Sequence, residues 1–277
     1  MSQPVALIWV SDLHTNSTIG LSPPIVTLDD GGTYHASPSQ KELWGAWLDF
    51  VDWARTETEG CRRVAVFGGD LAEKDDKQRS TQLISRNSTD IHGMVIDTIT
   101  PLLDLTDLNV FLRGTEAHVG KSASMEERIA QDVDNVYKNG KLYSHWHLRA
   151  AFNGVRVDMA HHAGMGSRPW TEKNAANTLA AIVRSRYAEM RQPEPHYVLR
   201  GHVHRWADSG QNFAPLTAIL APAWTLKTAF AYRIGAENTL SNIGGFIVRC
   251  NSEQEHTFLR KMYPFENRKK LWKQIKI

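Results

Sequence analysis

Short apolar runs of strand length, each ending in a polar segment, are the feature that most constrains how this chain folds. The first run, from Val5 to Val10, is followed directly by the polar residues Asp12 and His14. A run of this length predicts a buried β-strand, and because one residue separates Asp12 from His14, both side chains point to the same face in extended geometry. One carboxylate and one imidazole are therefore available to a single ion at the end of this strand.

The same arrangement recurs along the chain. After an apolar run over residues 196–200, Gly201 is followed by His202 and His204, which again share a face. Other runs lead into Gly68-Gly69-Asp70, into the segment from Gly114 to His118, and into His161-His162. Carboxylates and imidazoles are common ligands of divalent ions, and this number of them at strand ends indicates a metal centre.

The order of these segments is Asp-x-His, Gly-Asp, a Gly-to-His segment, a histidine pair and Gly-His-x-His. From Asp12 to His204 it resembles the calcineurin-like metallophosphoesterase superfamily. The resemblance implies an α/β fold of two packed mixed β-sheets flanked by helices, with two metal ions at one edge. It also implies the ligands: Asp70 would bridge the ions, one ion would take Asp12, His14 and His204, and the other would take His161 and His202.

One segment departs from the family pattern, in which Gly-Asn-His is followed by an acidic residue and the Asn oxygen ligates the second ion. Here Gly114 is followed by Thr115 and Glu116, and His118 lies further along the segment. A carboxylate is a better ligand for a divalent ion than a hydroxyl, so Glu116 is the expected substitute, with another group in place of the amide as the alternative. The added negative charge would disfavour phosphomonoesters relative to phosphodiesters.

The histidine pair also leaves two readings, because either His161 or His162 could bind the second ion. Alternation along a strand lets only one of two successive side chains face the site easily. The family pattern favours the first member of the pair, so His161 is the expected ligand.

The activity implied by the resemblance is metal-dependent hydrolysis of phosphate esters, with phosphodiesters as the expected substrates and a hydroxide activated by two ions. His118 is the expected general acid, since the unperturbed pKa of histidine, about 6.5, suits proton donation to a departing alkoxide. Mixed imidazole and carboxylate ligation favours manganese, iron, zinc, nickel or cobalt over magnesium or calcium, and we expect manganese. The alternatives are a nuclease, a phosphomonoesterase acting on proteins or nucleotides, and a catalytically weak binding scaffold of the same fold.

Length and patterning favour one α/β domain over residues 1–277. A chain of 277 residues with 42% hydrophobic content can bury a substantial core. Apolar residues at helical spacing from Leu43 to Val51, with Ser39 as the expected cap, predict the first helix. Further helices are predicted over 90–103, 124–137 and 174–191, and strands near 218–220 and 245–248.

Two loops and the C-terminal segment are the expected places for substrate selection. The loops over residues 15–38 and 71–88 begin directly after predicted ligands, so they are expected to form the rim of the site. The segment over residues 255–277 is basic and carries interleaved aromatic residues. It could steer nucleic acid toward the site, or it could be a peripheral helix whose lysines face water.

The remaining features point to a cytoplasmic protein. The chain has only two cysteines, so no disulfide framework is expected, and the apolar run at Val5 lacks the basic flank of a signal peptide. No apolar stretch is long enough for a membrane span, so no membrane partner is expected. The net charge of +2 neither requires nor excludes a polyanionic partner, and the oligomeric state stays open.

Overall fold

The elements of the fold come from a computed structural model that describes residues 3–74, 80–164, 171–227 and 241–264. Its strands are β1 Val5–Val10, β2 Ile25–Thr27, β3 Thr33–His35, β4 Arg62–Phe67, β5 Leu108–Leu112, β6 Ser144–His145, β7 His147–Phe152, β8 Val155–Ala160, β9 Tyr197–Arg200, β10 Ala207–Asp208, β11 Thr217–Leu220, β12 Ile243–Cys250 and β13 His256–Tyr263. Its helices are α1 Pro38–Glu57, α2 Ser88–Leu103, α3 Glu116–Val119, α4 Ser124–Gln131 and α5 Glu172–Glu189, with a 3₁₀ turn at Lys121–Ala123.

Two mixed sheets form the centre of the molecule. The first has the strand order β13-β12-β1-β4-β5-β6, in which β1, β4, β5 and β6 run parallel and β12 is antiparallel to both of its neighbours, β1 and β13. The second has the order β10-β11-β9-β8-β7, in which β11, β9 and β8 run parallel between two antiparallel edge strands. The predicted α/β class with two mixed sheets flanked by helices is confirmed.

The alternation of side chains along β1 explains why this strand is apolar throughout. Leu7 and Trp9 face the second sheet and belong to the same buried cluster as Leu199 of β9. Ile8 points the other way and belongs to the cluster that contains Trp47 of α1. Since both faces are covered, every position of the strand buries an apolar side chain, at about 1.5–3 kcal/mol for each large one.

The N-cap of the first helix lies two residues earlier than predicted. Ser37, rather than Ser39, is the N-cap: its side chain accepts a hydrogen bond from Gln40 N, and the Gln40 side chain accepts one from Ser37 N. Pro38 then occupies the first helical position, where its missing N–H has no consequence because that group would have no intrahelical partner.

The other predicted helices and strands are present with adjusted ends. Helix α2 continues past Pro101 to Leu103, and α5 covers most of its predicted range. Helix α4 ends at Gln131, whereas the apolar spacing predicted that it would reach Tyr137. The chain leaves the helix at Asp132 and turns at Asn135, which has a positive φ of 53°. Strands β11 and β12 contain the two predicted strand segments.

The beginning of the basic C-terminal segment is an edge strand, β13, which pairs with β12. Lys261 contacts Asp49 of α1, and the Arg260 guanidinium lies 5.1 Å from the centre of the Trp206 ring. The predicted basic helix beyond Pro264 lies outside the described residues.

None of the helices in the described part of the chain combines the length and hydropathy that crossing a bilayer requires.

Candidate metal centre

The polar segments that follow the parallel strands of both sheets meet at one place. Hydrogen bonds between the segments continue the pairing of the strands: Asp12 N donates to Gly69 O at 2.9 Å, and His14 N donates to Asp70 O at 3.0 Å. Across the gap between the sheets, His202 N donates to the Asp12 carboxylate at 3.1 Å. Side chains from distant parts of the chain are thereby held at the carboxyl ends of the strands.

The backbone is strained at the predicted ligands. Five residues adopt a positive φ, a region that non-glycine residues rarely occupy: Asp12 (56°), His14 (44°), Asp70 (53°), His202 (73°) and His204 (56°). Such conformations cost of order 1–3 kcal/mol each and are found mainly where function requires them. The positive φ ends the extended conformation at these residues, so their side chains leave the alternation of the strand and point toward the shared site.

Two glycines let the segments approach closely. A Cβ at Gly114 would lie 2.3 Å from Asp70 Oδ1, so no larger residue fits beside this carboxylate. A Cβ at Gly69 would lie 2.5 Å from His161 Nδ1, and Gly69 also has a φ of +96°. The glycines of the sequence motifs are therefore required by the packing of the candidate ligands.

One group of ligand atoms consists of Asp12, His14 and His204. The Nε2 atoms of the two histidines face each other at 3.3 Å, and His204 Nε2 lies 3.2 Å from Asp12 Oδ1. His14 Nδ1 donates a hydrogen bond to Glu73 Oε2 at 3.0 Å. Because Nδ1 carries a proton, Nε2 is the nitrogen of His14 that can serve as a metal ligand in the group.

A second group consists of His161, His162 and His202, whose ligand nitrogens lie within 4.8 Å of one another. The Thr115 hydroxyl lies among them, 3.5 Å from His161 Nε2, 3.4 Å from His162 Nε2 and 3.2 Å from His202 Nδ1. His161 Nδ1 donates to the Gly68 carbonyl at 2.8 Å, which leaves Nε2 as its ligand atom. The second member of the histidine pair thus lies beside the first rather than pointing away from it.

The carboxylates of Asp12 and Asp70 lie between the two groups. Asp12 belongs to the first group and also to a group with Asp70 and His161. Asp70 Oδ2 lies 3.0 Å from His161 Nε2, and Asp70 Oδ1 accepts a hydrogen bond from Thr115 N at 2.6 Å. Both carboxylates are buried, at 0% and 1% exposure. Buried acidic groups this close to one another require positive charge nearby.

The pKa values follow from this crowding. Burial would raise the pKa of Asp12, but His204 and His161 lower it to about 2. His161 likewise holds the pKa of Asp70 well below its usual range against the effect of burial. Burial would lower the pKa of His161, but the charges of Asp70 and Asp12 raise it to about 10. His202 has its pKa lowered to about 4 by burial and by the charge of His161, so its imidazole is neutral.

A third group joins His14 to His118 through Glu73. Glu73 Oε2 accepts hydrogen bonds from His14 Nδ1 at 3.0 Å and from His118 Nδ1 at 2.8 Å. Asn16 Nδ2 donates to the Glu73 carbonyl at 2.8 Å and so fixes the loop that carries it. Burial would lower the pKa of His118, but the hydrogen bond to Glu73 and the charge of Asp70 raise it to about 9.

The structure does not bring Glu116, the expected substitute ligand, to the other candidates. Its side chain is exposed, and Oε1 accepts a hydrogen bond from Ser122 N at 2.9 Å. Thr115 is the N-cap residue of the short helix α3, and the helix turn that follows directs Glu116 away while Thr115 and His118 stay at the site. The other predicted site residues are brought together: Asp12, His14, Asp70, His118, His161, His202 and His204.

A buried acid supports the segment that departs from the family pattern. Glu126 of α4 is fully buried, and its Oε2 and Oε1 accept hydrogen bonds from Gly114 N at 2.5 Å and Leu71 N at 3.3 Å. Burial and the charge of Asp70 raise the pKa of Glu126 to about 8. The Glu126 side chain therefore links the segment after β4 to the segment after β5 through its hydrogen bonds to Leu71 and Gly114.

Sequence reasoning did not place Glu73 or the Thr115 hydroxyl at the site, and it favoured His161 over His162 in the histidine pair. Glu73 follows Asp70 by three residues in a loop that was expected to lie beside the metals, and this spacing is the signal that could have identified it. His162 was set aside because side chains alternate along a strand, but β8 ends at Ala160, so the rule does not extend to the pair. The contacts of Thr115 depend on the start of α3, which has no clear sequence signal.

The donor set fits two divalent ions. Imidazole nitrogens surround the two buried carboxylates, and hydrogen bonds to Glu73 and to the Gly68 carbonyl orient the rings of His14 and His161 from behind. Such partners behind the ligands are typical of metal-binding histidines. The carboxylates would also gain the positive charge that their burial requires.

Comparisons with known proteins give matches in structure only. No protein-family model matches this sequence, and no curated protein does. Wild-type Vps29 from Entamoeba histolytica, complexed with zinc, is 10% identical over 93% of this chain and 98% of its own, with a TM-score of 0.42. An archaeal phosphodiesterase is 11% identical over 92% of this chain and 99% of its own, with a TM-score of 0.44.

A predicted phosphoesterase from Streptococcus pneumoniae also matches, at 8% identity over 94% of this chain and 100% of its own, with a TM-score of 0.35. At these identities and TM-scores the matches carry no information on the activity of this chain, which is inferred from its own side chains. The matched structures are calcineurin-like metallophosphoesterases, the superfamily that the motifs of this chain resemble.

Proposed function

We propose that this protein is a metal-dependent phosphoester hydrolase that holds two divalent ions and acts on phosphodiesters. The observation that supports it most is the placement of two buried carboxylates, Asp12 and Asp70, between two groups of imidazole nitrogens. In this proposal one ion is held by Asp12, His14 and His204. The other would be held at the histidine group that contains His161 and His202, and Asp70 would serve both ions.

The bound ions supply two kinds of chemistry, activation of a water for attack and neutralisation of charge on the phosphoryl oxygens. The protein's own contribution begins with orientation. Glu73 and the Gly68 carbonyl fix which nitrogen of His14 and of His161 carries the proton, so the opposite nitrogen faces the site. These hydrogen bonds hold the two rings in place before substrate arrives, so the rings need no ordering at the moment of reaction.

His118 is the group we assign to protonate the leaving alkoxide. Its Nδ1 donates to Glu73, and its pKa of about 9 keeps the ring protonated at neutral pH. The side chain is 35% exposed, so substrate can reach the ring. A proton on Nε2 is then available to the departing oxygen, while Glu73 stabilises the charged ring.

Phosphodiesters are the substrate class that we assign because of Glu73. The earlier expectation based this preference on Glu116, but Glu116 lies outside the site. Glu73 supplies the additional carboxylate instead, since its side chain is only 10% exposed and contacts both His14 and His118. A negative charge there disfavours a dianionic monoester more than a monoanionic diester.

Hydrolysis of a chromogenic phosphodiester, measured with manganese, zinc and cobalt, tests the proposal. The wild-type protein should cleave the diester in a metal-dependent way, and Asp70→Asn should abolish cleavage. Asp97→Asn, at an exposed position of α2, is the matched control and should retain the wild-type rate. Undiminished activity in Asp70→Asn would refute the assignment of Asp70. A wild-type protein inactive with every metal would favour the binding scaffold.

A further inference from the structure

The histidine pair carries an inference about the second ion, and it rests on the proposed function. We propose that His162 is the ligand that takes the place of the family's amide, so that this ion is held by the imidazoles of His161, His162 and His202 together with the Asp70 carboxylate. The consequence is a subsite that prefers zinc or cobalt to manganese.

The three rings are arranged around one point. Their centroids are 4.9 Å apart for His161 and His162, 5.2 Å for His161 and His202, and 5.1 Å for His162 and His202. The Thr115 hydroxyl lies within 3.5 Å of a nitrogen from each ring, so each ring directs one nitrogen toward a common centre. Asp70 Oδ2 lies on the same side, 3.0 Å from His161 Nε2.

Thr115 explains why an additional ligand is needed here. In the family pattern the residue after this glycine is an asparagine whose oxygen reaches the ion, whereas a threonine hydroxyl is shorter and a weaker neutral donor. Thr115 N is committed to Asp70 Oδ1 at 2.6 Å, which keeps the residue close to the carboxylate. The imidazole of His162 lies 3.4 Å from the Thr115 hydroxyl and supplies a stronger donor at the same place.

The metal preference follows from the donor atoms. Imidazole suits zinc, cobalt, nickel and iron, whereas oxygen ligands suit manganese and magnesium. An amide in the fourth position would give two nitrogen and two oxygen donors, and His162 changes this to three nitrogens and one oxygen. The group of Asp12, His14 and His204 does not have the additional nitrogen, so the two subsites should differ in their selectivity.

Cobalt titration of the metal-free protein tests the proposal without measuring activity. The visible absorption of Co²⁺ reports the number and type of its ligands, and competition with a chromogenic chelator gives the affinities for cobalt, zinc and manganese. The wild-type protein should bind two ions. His162→Ala should lose about 100-fold in cobalt and zinc affinity at one subsite, with a changed cobalt spectrum, and should leave the other subsite unaltered.

Two further variants make the test specific. His35→Ala removes an exposed histidine of β3 and should bind both ions as the wild type does. Thr115→Asn combined with His162→Ala supplies the amide again and should regain affinity, for manganese more than for zinc. Circular dichroism spectra should show that each variant is folded.

The outcomes separate this inference from the proposed function. Two ions bound by His162→Ala with wild-type affinities and spectrum would overturn the role of His162 and leave the two-metal hydrolase intact. Unchanged affinities together with slower diester cleavage would assign His162 to the substrate instead, which also overturns the inference. A wild-type protein that binds no ion would overturn both proposals.

Discussion

Glu73 provides the most informative single substitution. Its Oε2 atom accepts hydrogen bonds from His14, at the first group of ligands, and from His118, the assigned proton donor. Burial would raise the pKa of Glu73, but the hydrogen bonds from His118 and His14 lower it from 4.5 to about 2. Glu73→Gln keeps the shape of the side chain but removes its charge. A neutral amide oxygen then replaces the carboxylate as the acceptor of the hydrogen bonds from His14 and His118.

The size of the effect follows from these contacts. The lowered pKa of Glu73 corresponds to about 3 kcal/mol in favour of the charged carboxylate. A hydrogen bond to a charged group contributes about 1.5–3 kcal/mol. In Glu73→Gln the hydrogen bonds from His14 and His118 would both be made to a neutral amide, so both would be weaker. If this loss appears in the transition state, kcat for an unactivated diester should fall about 10- to 100-fold.

The pH dependence should change as well. A protonated His118 is required, so activity should fall as pH rises through its pKa, which Glu73 helps to raise. Glu73→Gln should therefore move the alkaline limb of the kcat profile to lower pH, by about 1–2 pH units. The matched control is Glu116→Gln, which changes an exposed glutamate of α3 and should leave rate and profile unchanged. A Glu73→Gln enzyme with the wild-type rate and alkaline limb would refute this reasoning.

Three further changes test other parts of the molecule. His118→Ala should slow diesters with poor leaving groups more than activated ones, and equal slowing would remove its role as proton donor. The pKa of Glu126 is raised to about 8 in the folded state, so this group stabilises the fold most below pH 4.5 and loses that contribution as pH rises toward 8. The melting temperature of the metal-free protein should therefore decline less over this range in Glu126→Gln than in the wild type. Asp158→Asn should lower the free energy of unfolding by about 3–5 kcal/mol, because the buried Arg200 guanidinium, 2.7 Å from Asp158 Oδ1, would lose its counter-ion. Urea denaturation at pH 7 measures this change, and a loss below about 1 kcal/mol would contradict the prediction.

The site could be predicted from sequence where chain geometry alone determines it. Parallel strands end at the same edge of a sheet, so the candidate ligands after β1 and β4 lie together at one edge of the first sheet, and those after β8 and β9 lie together at one edge of the second. This is why Asp12 and Asp70, and likewise His161 and His202, could be expected to lie together, whereas the expectation that all four form one two-metal site came from the family resemblance. The positions of the strands could also be predicted from the sequence, because strands covered on both faces, such as β1, are apolar throughout.

The parts that could not be predicted depend on how single turns are made. Glu73 and Glu116 both come shortly after parallel strands, β4 and β5, and nothing in the composition of the two segments distinguishes them. The short helix α3 turns Glu116 to solvent, whereas the hydrogen bond from Asn16 holds the Glu73 loop against the site. Similarly, α1 begins at Pro38 with Ser37 as its N-cap, and Asn135, which has a positive φ, follows the end of α4.

The central claim is that two ions lie side by side with Asp70 between them. Anomalous diffraction from crystals grown with zinc and with manganese would locate the ions directly. We expect two peaks per chain, one contacting Asp12, His14 and His204 and the other contacting His161 and His202, with the Asp70 carboxylate touching both. A single peak, or ions bound away from Asp70, would contradict the account.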